Sequence, residues 1–438
     1  MIAVAPVVAD YETLQLQLQR STLRKIRNRC VLPLLIAFVI SYLDRVNVGF
    51  AALSANRDLG LTPAQYGWAA GLLFIGYSLF ELPSNLLLER FGARRWMARI
   101  MITWGLVGCA MSLVTGPLDF YLLRFLLGVA EAGLFPGVIL YLTYWLPRRH
   151  RARYIGLFAL GIPLSSVIGA PISGAIMASM GGVWGLKDWQ WLFVLEALPA
   201  VLLGVAVLFL LADRPTDARW LSDAERRWLA SEFERSAAVP VETHRGFSLS
   251  LLTDRRVLAL AGVFFLTGVP SYGLSLWMPQ IVNSFGVSRI ATGFLTALPF
   301  VFGCIAMIVW GHRSDLRHER LWHAIMPALV AGVSLVIGAL LDSAVLQLVA
   351  ICVATAGIYG LKGPFLTIVS ESFADSRAAA GIALVTMLGN LSGFVAPYMV
   401  GVIIGATGSY RPALVALGVQ SALGALLLRL HAQRASGL

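Results

Sequence analysis

The sequence predicts an all-α membrane protein, with twelve transmembrane helices in two pseudo-symmetric six-helix bundles. Three observations carry this expectation. Of 438 residues, 58% are hydrophobic and only 13% charged, where soluble domains carry about 25% charged residues. Apolar stretches recur that meet the roughly 20 residues needed to cross ~30 Å of hydrocarbon. Landmarks of the first half also recur in the second at one constant offset: Glu89 falls on Asp315, Arg151-Ala152 on Arg377-Ala378, and Ala170-Pro171 on Ala396-Pro397.

The elements follow in order. A basic tail, residues 1–30, carries Arg20 to Arg29 and leads into the first span at 31–53. No short apolar region with a small-residue cleavage site precedes that span, so it is expected to remain in the mature protein. Spans at 66–88 and 96–115 flank a charged turn. Spans at 118–146, 154–179 and 189–212 complete a first bundle, 31–212. Residues 213–256 then break the apolar pattern as a linker. Within it Ser222-Asp-Ala-Glu225 has the spacing of a helix capping box. A short amphipathic helix is expected there, followed by a flexible stretch at 239–246. Spans at 257–284, 290–310, 321–341, 344–370, 378–405 and 410–430 form a second bundle, 257–431, before a tail at 432–438.

The net charge of +11 is read as topology. Lysine and arginine concentrate in the two tails, the linker and alternate turns. Arg57, Lys187, Arg289 and Arg411 fall in the opposite loops, and Arg45, Arg124 and Lys362 inside spans. That asymmetry predicts both termini in the cytoplasm and gives no reason to expect nucleic acid as a partner. Cys30, Cys109, Cys304 and Cys352 have no metal-ligand spacing. With no nucleophile constellation or cofactor fingerprint, an enzyme is not expected. Neither is a cofactor or metal. A membrane solute sensor is a further possibility, weakened by the lack of a visible effector domain.

Charges inside the spans are the informative residues. Asp44-Arg45 lies in the first, Arg124 and Glu131 in the fourth and Lys362 in the tenth. Charges at such depth cost roughly 2.5–3.5 kcal/mol on insertion scales and usually face a bundle interior or an aqueous path. Arg45 offers a planar donor fork suited to a carboxylate, or a packing ion pair with an acid on another helix. Arg124 and Glu131 are two turns apart on one helix face, too far to pair tightly, so each needs another partner. A buried acid near an arginine, as Glu131 or Asp44 could be, is able to load and release a proton. Gly363-Pro364 can break the tenth helix and aim Lys362 inward.

Several motifs bring in a resemblance. The turn Asn85-Leu-Leu-Leu-Glu89-Arg90-Phe-Gly92-Ala-Arg94-Arg95, and its counterpart with Asp315 and Arg317, resemble the inter-helix signature of the major facilitator superfamily. There the acid and arginines latch cytoplasmic helix ends. Asn85 and Glu89 stand where the pattern usually has Gly and Asp. Tyr42-Leu-Asp-Arg-Val-Asn47, Gly76-Tyr77-Ser-Leu-Phe-Glu81, Arg124-Phe-Leu-Leu-Gly-Val-Ala-Glu131 and Lys362-Gly-Pro-Phe365 are similar to the anion:cation symporter branch, with its tartrate, phthalate and galactonate carriers.

The resemblance implies a proton-coupled importer of a small organic anion in a bacterial cytoplasmic membrane. Arg45 would hold the substrate carboxylate, with Arg124 and Lys362 as further anionic anchors. Asp44 and Glu131 would carry the coupling proton. Tyr77, Asn47 and Asn390 are candidates for hydrogen bonds to the substrate. Tyr272 and Trp277 are wall candidates or packing residues, and Glu81 is assigned to the latch. Several basic anchors suit a dianion, so a tartrate-like hydroxy-dicarboxylate is expected first, with aromatic carboxylates or sugar acids as alternatives. The protein is expected to work as a monomer in the lipid bilayer. Glu196 is left without a role.

Overall fold

The computed structural model describes residues 5–237, 253–373 and 378–435. The expected flexible stretch at 239–246, and Arg377 of the repeated landmarks, lie outside them. Among the described residues twelve helices are long and apolar enough to cross a membrane. We number them α1 (Leu14–Asp58), α2 (Pro63–Phe91), α3 (Ala93–Leu113), α4 (Pro117–Trp145), α5 (Arg149–Ser179), α6 (Asp188–Leu210), α7 (Arg255–Asn283), α8 (Arg289–Arg317), α9 (Leu321–Leu340), α10 (Ala344–Ser372), α11 (Ala380–Thr407) and α12 (Arg411–Arg434). Each expected span has its helix. Several helices overrun their apolar stretch because charged residues continue them past the hydrocarbon. The extreme case is α1, whose basic approach is itself helical.

In the first half, α3 packs on α6, α2 on α4, and α1 on α5 and α6. In the second half, α9 packs on α10 and α12, α8 on α10, and α7 on α11 and α12. The halves meet chiefly along α5–α8 and α2–α11. These two contacts interchange when each helix is replaced by its counterpart six spans away.

Small residues make the contact between halves close. A Cβ on Gly67 of α2 would strike the Pro397 carbonyl of α11, and one on Gly401 would strike the Pro63 carbonyl. Without a hydrophobic drive between helices in lipid, such backbone approach is what holds them. The contact lies at the membrane side away from the termini. There the Tyr66 hydroxyl donates to Leu276 O at 2.7 Å, and Trp277 Nε1 donates to Pro397 O at 3.1 Å. Arg289 donates to Leu53 O at 3.1 Å. On the side of the termini a cavity of about 880 Å³ separates the halves, with Arg24, His150, Arg153 and Tyr154 on one wall and Met307 and Gly363 on the other. The halves thus touch through backbone on the far side, and a cavity lies between them on the side of the termini.

The linker helix, Asp223–Ala237, packs on the N-terminal part of α1. The expected capping box forms: Glu225 N donates to Ser222 Oγ at 3.3 Å, and Ser222 N donates to Glu225 Oε2 at 2.9 Å. The same carboxylate accepts from Ser21 Oγ and Lys25 Nζ, both at 2.8 Å. Burial raises the Glu225 carboxyl, but the Lys25, Ser222 and Ser21 contacts outweigh it and hold it below the usual value.

Candidate anion and proton site

Four membrane helices are interrupted, each beside a singled-out residue. α1 breaks at Asn47, α4 at Ala132 and Gly133 after Glu131, α10 at Leu361 before Lys362, and α11 at Leu391 after Asn390. Two breaks have a visible cause. Pro136 and Pro364 lack the N–H that would close onto Ala132 and Gly360 four residues earlier. Gly133 takes φ +87°, open to glycine at little cost.

Arg45 is the centre of the site. It is 8% exposed, and its Nε donates to Glu131 Oε2 at 2.6 Å. Its guanidinium carbon lies 4.8 Å from the Tyr42 ring centroid and 4.6 Å from that of Tyr77. The cation is thus held between two aromatic faces, which attract it electrostatically. Glu131 is fully buried, and its Oε1 has no partner.

Asp44 points elsewhere. Its Oδ2 accepts from Trp104 Nε1 of α3 at 2.6 Å, and its Oδ1 accepts from Asn47 Nδ2 at 3.5 Å. Neighbouring residues on a helix project about 100° apart, so one motif serves two surroundings. Arg124 is fully buried and donates to Ala70 O at 3.3 Å. Its Nε and one terminal nitrogen are unpartnered, while Glu131 and Asp44 lie within electrostatic range.

The second half contributes Lys362, whose Nζ donates to Ser271 Oγ at 3.3 Å and sits 4.3 Å from the Tyr359 ring centroid. Tyr272 packs edge-on against Phe74 of α2, with ring centroids 4.7 Å apart. It is within electrostatic range of Arg45 and Tyr42, so aromatic residues of both halves surround the guanidinium. Tyr272 and Tyr359 of the second half thus lie within electrostatic range of Tyr42 of the first, with Lys362 beside Tyr359.

A model of the Major Facilitator Superfamily matches residues 34–397. The chain belongs to that superfamily. Its members are transporters rather than enzymes, and this one is a multi-pass membrane protein taking a small-molecule substrate. It is 47% identical over 393 residues to an Agrobacterium vitis protein named "Putative tartrate transporter", covering 90% of this chain and 87% of that one. An Acinetobacter baumannii protein named "Quinolone resistance transporter" is 40% identical, with 93% and 94% covered. A solved bacterial homolog of the human lysosomal transporter Spinster, inward-facing and occupied, matches with a TM-score of 0.76 at 17% identity, covering 93% of this chain and 97% of that one. A D-xylose-proton symporter matches with a TM-score of 0.73 at 14% identity, with 91% and 96% covered. At such identities the solved structures bear on the fold alone.

In this member of the superfamily the expected site residues fall into distinct places. Arg45, Glu131 and Tyr77 come together in the first half, with Tyr272 and Lys362 on the other. Asn390 is half-buried at the α11 break. Asn47 is buried beside Asp44. Trp277 is 1% exposed and packs against Tyr66 in the far-side contact, so it is a packing residue of that contact.

The latch residues make no ion pair across the halves among the described residues. Arg94 N donates to Asp213 Oδ1 at 2.9 Å, and Arg320 pairs with Asp315 at 2.6 Å. Glu89, Arg90, Arg95 and Arg317 are exposed.

Trp104 belongs to none of the motifs, although a tryptophan deep in a span needs an N–H acceptor. Glu81, expected in the latch, is placed nearer the site. Glu81 lies one turn from Tyr77 and within electrostatic range of Arg45. The i to i+4 spacing was the available signal.

Proposed function

We propose that this transporter imports a small organic anion together with protons across a bacterial cytoplasmic membrane, by alternating access, and that the anion is a tartrate-like hydroxy-dicarboxylate. The observation that carries this reading is the Arg45–Glu131 pair, one buried guanidinium joined to one buried acid through Nε. An incoming carboxylate and Glu131 compete for the same cation. When the substrate takes Arg45, Glu131 is left as a buried carboxylate without its partner, a state that binding a proton relieves. Substrate binding and proton binding are thereby linked at one residue.

Lys362 extends the site. A monoanion satisfies Arg45, and a second carboxylate has Lys362 on the opposite half to reach. Bridging the halves would favour closure on the terminal side, after which the α2–α11 and α5–α8 contacts open. In this scheme the described conformation is the cytoplasm-facing one, both termini are cytoplasmic, and the latch residues of the two halves meet when the molecule opens outward. The identity to a tartrate-named relative supports the substrate class. The rings of Tyr42, Tyr77, Tyr272 and Tyr359 around the cations favour a second reading, an aromatic carboxylate.

The test is uptake of L-tartrate into proteoliposomes with an imposed inward proton gradient. Accumulation that collapses with the gradient supports the reading. Accumulation indifferent to pH, or preference for phthalate over tartrate, counts against the coupling or the substrate respectively.

A further inference from the structure

Glu196 takes no part in the site above, yet it lies inside α6 at 4% exposure. Its Oε1 accepts the Ser173 hydroxyl of α5 at 2.6 Å, and its Oε2 has no partner. The Asn47 amide stands between Glu196 and Asp44. It is within interaction range of the Glu196 carboxyl, and its Nδ2 donates to Asp44 Oδ1 at 3.5 Å. Asn47 is 2% exposed, and its own Oδ1 is also without a partner. Asn47 Oδ1 and Glu196 Oε2 therefore both lack a hydrogen-bond partner.

A charge count points to the missing hydrogen. Arg45, Arg124, Asp44, Glu131 and Glu196 are all buried in the first half, and Asp44 is within electrostatic range of Arg124 and both other acids. Fully ionised, three carboxylates against two guanidiniums leave one uncompensated charge in a low-dielectric interior, which a buried carboxyl escapes by binding a proton. Glu131 has Arg45. Asp44 has the Trp104 indole, the Asn47 amide and Arg124 in range. The groups facing Glu196 are Ser173 from α5 and Asn47 and Asp44 from α1; from α3, Cys109 meets α6 at Val194 O, 3.9 Å away. No lysine or arginine bonds it among the described residues.

We propose that Glu196 carries the proton that neutralises this cluster, donating from Oε2 to Asn47 Oδ1 and so keeping the Asn47 amide hydrogens turned onto an ionised Asp44. Glu196 is then a positioning residue that acts on Asp44 through Asn47. The transport readout below rests on the reading of coupled tartrate import, and the spectroscopic readout does not.

Infrared difference spectra of the purified full-length protein report a protonated carboxyl by its C=O stretch. The band is expected in the wild-type protein at neutral pH and is expected to be lost in Glu196→Gln. That variant should keep proton-driven L-tartrate uptake, and its pH profile, within about twofold, because a carboxamide gives Ser173 an acceptor and Asn47 a donor. Glu196→Leu removes the donor and should lower uptake about tenfold or more. A band that persists in Glu196→Gln overturns the assignment, since the proton then resides elsewhere. A flattened pH profile in Glu196→Gln also overturns it, since Glu196 would then exchange its proton during transport. If the wild type takes up no L-tartrate, the substrate reading fails while the band still decides the state of Glu196.

Discussion

Arg45 and Glu131 meet through a single buried contact, Nε to Oε2 at 2.6 Å, that joins the break in α1 to the break in α4. Arg45 is expected to hold the substrate carboxylate. Arg45→Ala should weaken L-tartrate binding about 10- to 100-fold, the range of one hydrogen bond to a charged group. Calorimetric titration measures this directly, and near-normal affinity would remove Arg45 from the site.

Glu131→Gln keeps the shape and an acceptor for Arg45 but cannot exchange a proton. Gradient-driven accumulation should fall to the level of equilibration, while tartrate counterflow between equal concentrations continues. Unchanged accumulation would show that the coupling proton binds elsewhere. Gln still accepts from Arg45 but does not balance its charge, so this variant should lose part of the ~3–5 kcal/mol that follows when one member of a buried ion pair is deleted.

Lys362→Ala separates charge classes. Loss of the second cation should reduce uptake of dicarboxylates about tenfold or more and leave monocarboxylates much less affected. The comparison is a competition series against labelled L-tartrate. Equal losses for both classes would refute a dianion site.

The α2–α11 contact tests alternating access. In Gly67→Leu a side chain must occupy the space of the Pro397 backbone, so the far-side closure cannot form. Spin labels at Ser179 and Arg289, at the far-side ends of α5 and α8, should move apart in the variant. Unchanged label distances would mean that the contact does not control closure.

The linker supplies a pH prediction. The Glu225 carboxyl is lowered in the folded protein, against burial, by Lys25, Ser222 and Ser21. Its contribution is therefore fully present above the unfolded carboxyl value of about 4.3, and it is lost as pH falls through the lower folded value. Docking of the linker helix on α1 should persist at neutral pH and loosen only in strong acid. Glu225→Gln should loosen it at neutral pH, seen as faster trypsin cleavage after Arg226 and Arg227. Equal cleavage rates would show that the capping carboxylate does not anchor the helix.

Span number, the intramembrane charges and the linker capping box were all legible in the sequence, because hydropathy, ionisation and first-turn hydrogen bonding depend on residues close along the chain. The same local information marked Arg45, Glu131 and Lys362 as misplaced unless functional. It could not assign partners, because these lie on other helices and depend on how each helix is rotated. Only the tertiary structure turned Asp44 toward Trp104 and away from Arg45's aromatic pair. It also drew Trp277 into the far-side contact, brought Glu81 toward the guanidinium, and put Asn47 between Asp44 and Glu196. Burial decides the rest: a charge sealed among helices must find its counter-charge or its proton in three dimensions.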